Sequence, residues 1–303
     1  ALGTYDKVHP NDHVNFGQST NDVVPTSGKL TIQFLLKDLV NNLEDLYSAF
    51  QSKATQYDHI IKMGRTHLQD AVPIRVGQEF RAFSGPVKRD IERLKAAMYE
   101  LSFVNMGATA VGTGLNADVN YIQRVVEVLS EVTGFSFSQC EDLVDGTRNL
   151  DSFVYLSSIL KTCAVNLSKT ANDIRLMSSG PKAGIAELIL PQEQPGSSIM
   201  PGKVNPVIPE VMNQVCFQIF GNDVTITKAA EAGQLELNVF EPVLFFNLFQ
   251  SIQILTNGIR TFIDNCIAGI QVNEEDCKYW LTRSVGVVTA LSPHIGYKVA
   301  AEI

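Results

Sequence analysis

The stretch VGQEFRAFSGPVKRDIERLKAAMYEL, residues 76–101, decides the fold class. Its apolar residues Val76, Phe80, Phe83, Val87, Ile91, Leu94, Met98 and Leu101 recur at spacings of three and four, the period of one helix face. At ~1.5 Å per residue such a helix is on the order of 40 Å long. That length suits an elongated bundle better than a compact globule. The same spacing returns in Leu35, Leu39, Leu43, Leu46 and Phe50, and in Phe153, Leu156, Leu160, Cys163, Leu167, Ala171 and Ile174. Phe245, Phe249, Ile252, Ile259 and Phe262 repeat it less regularly. The expectation is an all-α, elongated long-helix bundle. Strand patterns are nearly absent, with 111–115 and 187–190 as the only short extended candidates.

Several stripes carry apolar residues beyond one face, such as Phe245 beside Phe246 and Ile252 near Ile254. Helices apolar on two faces bury two faces. The economical partner is another copy of the chain, so a homo-oligomer with helices packed across subunits is expected. The non-helical stretches are expected at 13–25, 63–73, 105–116 and 178–206. Each is rich in Gly, Pro, Ser, Thr, Asn or His and sits beside a long helix.

Composition narrows the function classes. The 303 residues, 45% hydrophobic, are enough for a sizeable core. A net charge of −8, with no cluster of Lys and Arg, argues against a nucleic-acid partner. It leaves room for an anionic small substrate held by a few placed cations. The five cysteines are odd in number and widely spaced, with no C-x-x-C pair. Neither a disulfide framework nor a zinc site is expected, and a reducing cytoplasm fits best. No stretch has the apolar length to span a bilayer, and no signal region opens the chain. A start at Ala1 without Met and an end inside a helical run read as a piece of something longer.

The most specific segment is GSSIMPGKVNP, residues 196–206, preceding a helix expected to open near Pro209. Glycine lets backbone approach a ligand, and a helix N-terminus offers free N–H groups to an anion. Lys203 adds a full positive charge and Asn205 adds directional donors. The run 107–116, GATAVGTGLN, lacks the preceding strand and the Lys-Ser/Thr of a phosphate loop, so a nucleotide site is not read from it.

The 196–206 run resembles the signature loop of the aspartase/fumarase superfamily almost letter for letter. GRTHLQDAVP at 64–73, HVNFGQSTND at 13–22 and the 107–116 run resemble its other segments, so the likeness spans essentially the whole chain. NMGAT at 105–109, VIP at 207–209 and EAGQLELN at 231–238 are similar to the aspartate ammonia-lyases, where fumarases typically carry two glycines in the first of these. His67 occurs in both branches. Phe16-Gly17 departs from the usual Met-Ser beside the substrate contacts.

The resemblance implies the following. Residues 1–303 are the central helical catalytic domain, with the end of an N-terminal domain at about 1–22. The family's N-terminal segment and small C-terminal domain are expected outside the chain. The reaction is ammonia loss from L-aspartate to fumarate, in a homotetramer with sites shared between subunits, without metal or organic cofactor. Ser197 is the base, activated by loop N–H groups and the positive charge of Lys203. Ser19, Thr20 and Ser198 donate to the β-carboxylate, while Thr66, Lys203 and Asn205 hold the α-carboxylate. Asn21 and His67 face the amino group, and His67 pairs with Glu210. His9, His13, His59 and His294 read as structural. The alternatives are a fumarase, with water leaving instead of ammonia, and a non-catalytic structural relative; the latter is disfavoured because Ser197 and Lys203 are both present.

Overall fold

The computed structural model describes residues 3–302. Among them the helices are α1 (Thr20–Gln56), α2 (Val76–Glu100), α3 (Val119–Thr133), α4 (Leu143–Arg148) and α5 (Asp151–Met177). They continue as α6 (Val207–Glu231), α7 (Glu241–Phe262), α8 (Glu274–Arg283), α9 (Val288–Ile295) and α10 (Tyr297–Glu302). The four apolar stripes coincide with α2, α1, α5 and α7, so the all-α reading stands.

Among the described residues three strand pairs interrupt the helices: β1 (Ile61–Thr66) with β2 (Gln69–Arg75), β3 (Phe103–Val104) with β4 (Ser138–Gln139), and β5 (Leu188–Ile189) with β6 (Gln271–Val272). β5 falls in the expected extended piece 187–190. Residues 111–115 are turns and bends rather than a strand, with Gly112 and Gly114 at positive φ. The hairpin β1–β2 replaces the loop expected at 63–73.

Chain contacts divide the fold into two compact units. The first comprises residues 1–40, 92–162 and 218–254. Its small core joins Val104, Val126 and Phe137 with Leu30, Met106 and Leu129. Phe153 meets Phe245 edge-on at 5.2 Å, and the Phe245 ring lies where a side chain on Gly28 would sit. Buried Lys29 donates to the Phe103 carbonyl at 2.5 Å, and burial lowers its pKa. Glu241 is buried too; desolvation pushes its carboxyl up to about 7, only partly opposed by the charge of Lys29.

The second unit comprises residues 41–91, 163–217 and 255–303. Phe50, Phe80 and Phe83 pack there in tilted and edge contacts. Lys53 donates to the Ile270 carbonyl at 2.8 Å. The indole N–H of Trp280 donates to the Ile185 carbonyl at 2.8 Å, tying α8 to the chain ahead of β5. Cys163, Cys216, Cys266 and Cys277 are buried thiols outside any disulfide; Cys140, in the first unit, is half-buried.

Helix α1 begins earlier than the loop expected at 13–25 allows, and the reason is a capping box. The Ser19 hydroxyl accepts the Asn21 N–H at 3.2 Å, and Asp22 accepts the Ser19 N–H at 3.0 Å. Two orphan donors of the first turn are thereby satisfied reciprocally. Pro25 lies inside the helix rather than ending it.

Candidate functional site

The second unit holds the 196–206 loop, and that loop folds upon itself. Ser197 N–H donates to the Lys203 carbonyl at 3.0 Å, closing the neck. Inside it, Met200 N–H donates to the Ser197 hydroxyl oxygen at 3.1 Å, and Lys203 N–H to the Met200 carbonyl at 3.0 Å. Gly196 makes the neck possible: its φ is +86°, and a Cβ there would stand 2.9 Å from the Lys203 carbonyl oxygen. Ser197 is half-buried, whereas Ser198, Lys203 and Asn205 are exposed and Ile199 is 84% exposed. A cleft of about 340 Å³ runs beside the loop, lined by Lys203 and Asn205 together with Ser178, Pro181 and Leu188. The helix that follows opens at Val207, with Pro209 in its first turn.

A hydroxyl oxygen that accepts a backbone N–H is better able to carry negative charge. The loop therefore offers a serine with the polarity of an activated nucleophile or base, and carries the cation Lys203. Glu210, in the first turn of α6, lies 3.5 Å from the Arg175 guanidinium. Among the ion pairs of the described residues His67 does not meet Glu210. Within the chain the partner of that carboxylate is Arg175, which also donates to Asn213 at 3.2 Å.

Thr66 ends β1, and His67 and Leu68 form the tip of the hairpin at φ +54° and +63°. Left-handed backbone at two non-glycine residues in succession is costly, and the tip is held by what lies beneath it. That foundation is an ion network the sequence reading missed. Glu187, 1% exposed, meets Arg65 at 2.7 Å and Lys62 at 2.6 Å. Lys62 also meets Glu79 of α2 at 2.9 Å. Burial alone would lower the Lys62 pKa, but Glu79 and Glu187 outweigh it and raise it, so the ammonium stays charged. The signal was available: Lys62 and Glu187 each interrupt an apolar run, and charges there are buried only when paired.

The first unit holds Ser19, Thr20 and Asn21 at the start of α1. The Asn21 side chain donates to the Ala110 carbonyl at 2.7 Å. Asp22, fully buried, accepts N–H groups from Gly107 at 3.2 Å and Thr109 at 3.0 Å as well as from Ser19. The glycine-rich 105–116 segment is therefore a brace for the Ser-Thr-Asn motif. The Thr109 hydroxyl is buried without a partner beside it. Ser19, Thr20 and Asn21 thus belong to one unit, and Thr66, His67, Ser197, Ser198, Lys203, Asn205 and Glu210 to the other. Among the described residues no group of three or more His, Cys, Asp or Glu is placed to hold a metal ion. None of their helices is long and apolar enough to cross a membrane.

Comparison with known proteins places this arrangement. The sequence profile of a family described as Lyase matches residues 1–221. The aspartate ammonia-lyase of Bacillus subtilis is 56% identical over 301 residues, 99% of this chain and 63% of that protein. The chain thus spans about 63% of the length of that curated relative. A solved fumarate lyase:delta crystallin from Brucella melitensis superposes with TM-score 0.96 at 46% identity, over 99% of this chain and 65% of that one. The recombinant class II fumarase from Schistosoma mansoni superposes at 0.92 with 37% identity, over 98% and 65%. A self-closed serine loop ahead of a long helix, a braced Ser-Thr-Asn start and matches along nearly the whole chain agree: the chain belongs to the Lyase family, within the aspartase/fumarase superfamily.

Proposed function

We propose that this chain carries the catalytic elements of an aspartate ammonia-lyase, which converts L-aspartate into fumarate and ammonia. The observation that carries the reading is the identity to an aspartate ammonia-lyase, well above that to the fumarase, along a chain that keeps the serine loop intact. Removing a proton from the carbon beside a carboxylate builds a dianionic aci-carboxylate, so the barrier is chiefly electrostatic. Ser197, as alkoxide, takes the Cβ proton, and the freed electron pair moves into the β-carboxylate. Collapse of that intermediate forms the carbon–carbon double bond and expels the amine. The Met200 N–H on the Ser197 oxygen and the charge of Lys203 favour the alkoxide.

In the same reading Ser19, Thr20 and Ser198 donate to the β-carboxylate as its charge grows. Lys203, Asn205 and Thr66 hold the α-carboxylate, and Asn21 and His67 face the departing amine. Glu210 sets the charge balance beside Arg175. In this reading the enzyme works without metal or organic cofactor, in the cytoplasm, where its thiols remain reduced. It acts as a homotetramer with sites shared between subunits. Exposed Val224 on α6 and Val243 and Phe246 on α7 support packing against further copies.

The test is ammonium dependence, run on the protein with any sequence flanking these 303 residues. Fumarate is followed by its ultraviolet absorbance with and without ammonium. Consumption only with ammonium supports the ammonia-lyase. Consumption in its absence makes the protein a fumarase, and none under either condition overturns both activities.

A further inference from the structure

The buried network beneath the hairpin joins two segments that the function reading uses separately. Thr66 and His67 lie one and two residues after Arg65. Ser197 lies ten residues after Glu187. Glu187 is anchored on its own side by its backbone: its carbonyl accepts the Asn273 N–H at 2.9 Å, and β5 starts at the next residue. On the other side its two carboxylate oxygens take one cation each, Arg65 at 2.7 Å and Lys62 at 2.6 Å.

Lys62 and Arg65 are three apart in one strand, a spacing that in regular β-structure sends side chains to opposite faces. The β1–β2 ladder shifts register between Met63 and Arg65, and both side chains reach the same carboxylate. The irregularity has a physical floor at Gly64, where a Cβ would stand 2.7 Å from the Val72 carbonyl oxygen. Regular pairing would relieve no buried charge; the shifted ladder pairs both cations. At 1% exposure Glu187 has little water to replace either partner, so the geometry is strongly enforced.

We propose that Glu187 is a positioning residue for the reaction, fixing the hairpin tip of Thr66 and His67 and the segment leading to Ser197 in a common frame. The proposal rests on the ammonia-lyase reading. Through Arg65 the carboxylate sets where the tip residues stand for the substrate. Through its own chain it sets where the serine loop begins. Glu79 provides the internal contrast, since it pairs with the same Lys62 but sits on α2, outside the strand that carries Arg65 and the segment that leads to Ser197.

The experiment compares Glu187→Gln with Glu79→Gln in the protein with any flanking sequence it carries. Each removes one buried or half-buried charge from Lys62 at nearly constant volume. Two readouts are taken: KM and kcat for L-aspartate, and amide hydrogen exchange at 66–68 and 197–203. Glu187→Gln is expected to raise KM about tenfold, lower kcat at least as much, and speed exchange at both segments together. Glu79→Gln is expected to lower thermal stability while leaving KM within about twofold of the parent and exchange at 197–203 unchanged. A role in stability alone would reduce the folded fraction, and with it apparent kcat, without moving KM. Unchanged KM in Glu187→Gln, or exchange accelerated at only one segment, overturns the proposal. If Glu187→Gln does not fold, Arg65→Lys makes the same comparison, keeping the charge but losing the forked reach. A parent that shows no aspartate turnover overturns the ammonia-lyase reading; the exchange result then decides the common frame alone.

Discussion

The side-chain amide of Asn105 donates to the Asn21 carbonyl at 3.0 Å, supplying the bond that Pro25 withholds. In an α-helix that carbonyl accepts from the residue four positions on, which here is Pro25 and has no N–H. A proline inside α1 is thus accommodated by a donor from the segment after α2. The same amide donates to Thr147 at 3.0 Å, so it is locked in place.

Asn105→Ala is therefore expected to destabilise the protein by roughly 1–3 kcal/mol, the cost of stranding buried polar groups. Pro25→Ala, which restores an N–H, should recover part of that loss in the Asn105→Ala background and little in the parent. A double-mutant cycle by denaturant unfolding checks this. A Pro25→Ala effect that is the same in both backgrounds would show that the two residues are not coupled.

Ser197→Ala is expected to abolish elimination while leaving the fold intact, because a half-buried hydroxyl is lost without opening a cavity. Removal of a proton-transfer group costs ~10²–10⁴-fold in rate or more. Steady-state assay beside a thermal melt is sufficient. Retention of more than about a tenth of parental turnover, against that scale, would remove Ser197 from the base role.

Sharing of sites between subunits has a direct complementation test. Asn21→Ala and Ser197→Ala, each inactive alone, are unfolded together and refolded as a mixture. If the two residues of one site come from different chains, random assembly gives about one site in four both native residues, one half times one half. Activity should climb towards a quarter of the parent. Mixed assemblies that stay inactive would place both residues in one chain.

Glu241 makes stability depend on pH in a defined window. Its carboxyl is raised in the folded state from 4.5 to about 7, so the folded protein holds a proton that the unfolded chain releases. Stability is then lost as pH climbs from about 4.5 to 7, and the full cost is present above 7. Glu241→Gln removes the cost, on the order of 3 kcal/mol at ~1.4 kcal/mol per pH unit. Melts should show the variant ahead of the parent at pH 8 and level with it near pH 4.5. An equal gap at both values would mean that charge is not the cause.

The long helices were legible because burial of one face leaves a regular imprint: every residue of the 76–101 stripe except Met98 is almost wholly buried, as are those of α5. The hairpin at 61–75 left no such imprint. Its strands mix Gly64, Pro73, Lys62 and Arg65, and what holds them is ion pairing to Glu187, a residue more than a hundred positions away in the chain. The start of α1 was misplaced because Ser, Asn, Asp and Pro read as turn formers, whereas Ser19 and Asp22 cap and Asn105 repairs. Of the candidate site, the composition of each loop was legible and its internal bonding was not. The Met200 N–H on Ser197 depends on a turn that no residue identity specifies.

The thiols described with the second unit turn the protein into its own unfolding sensor. Burial pushes Cys216, Cys266 and Cys277 up to about 12, which suppresses the reactive thiolate at neutral pH as well as blocking access to it. An alkylating reagent added to the native protein should leave them untouched, and each one modified records a local opening around its own helix. Cys266 and Cys277 flank β6, the strand paired with β5 just after Glu187, so the pace of their labelling would register loosening at the root of the segment that leads to Ser197 before activity is measured at all.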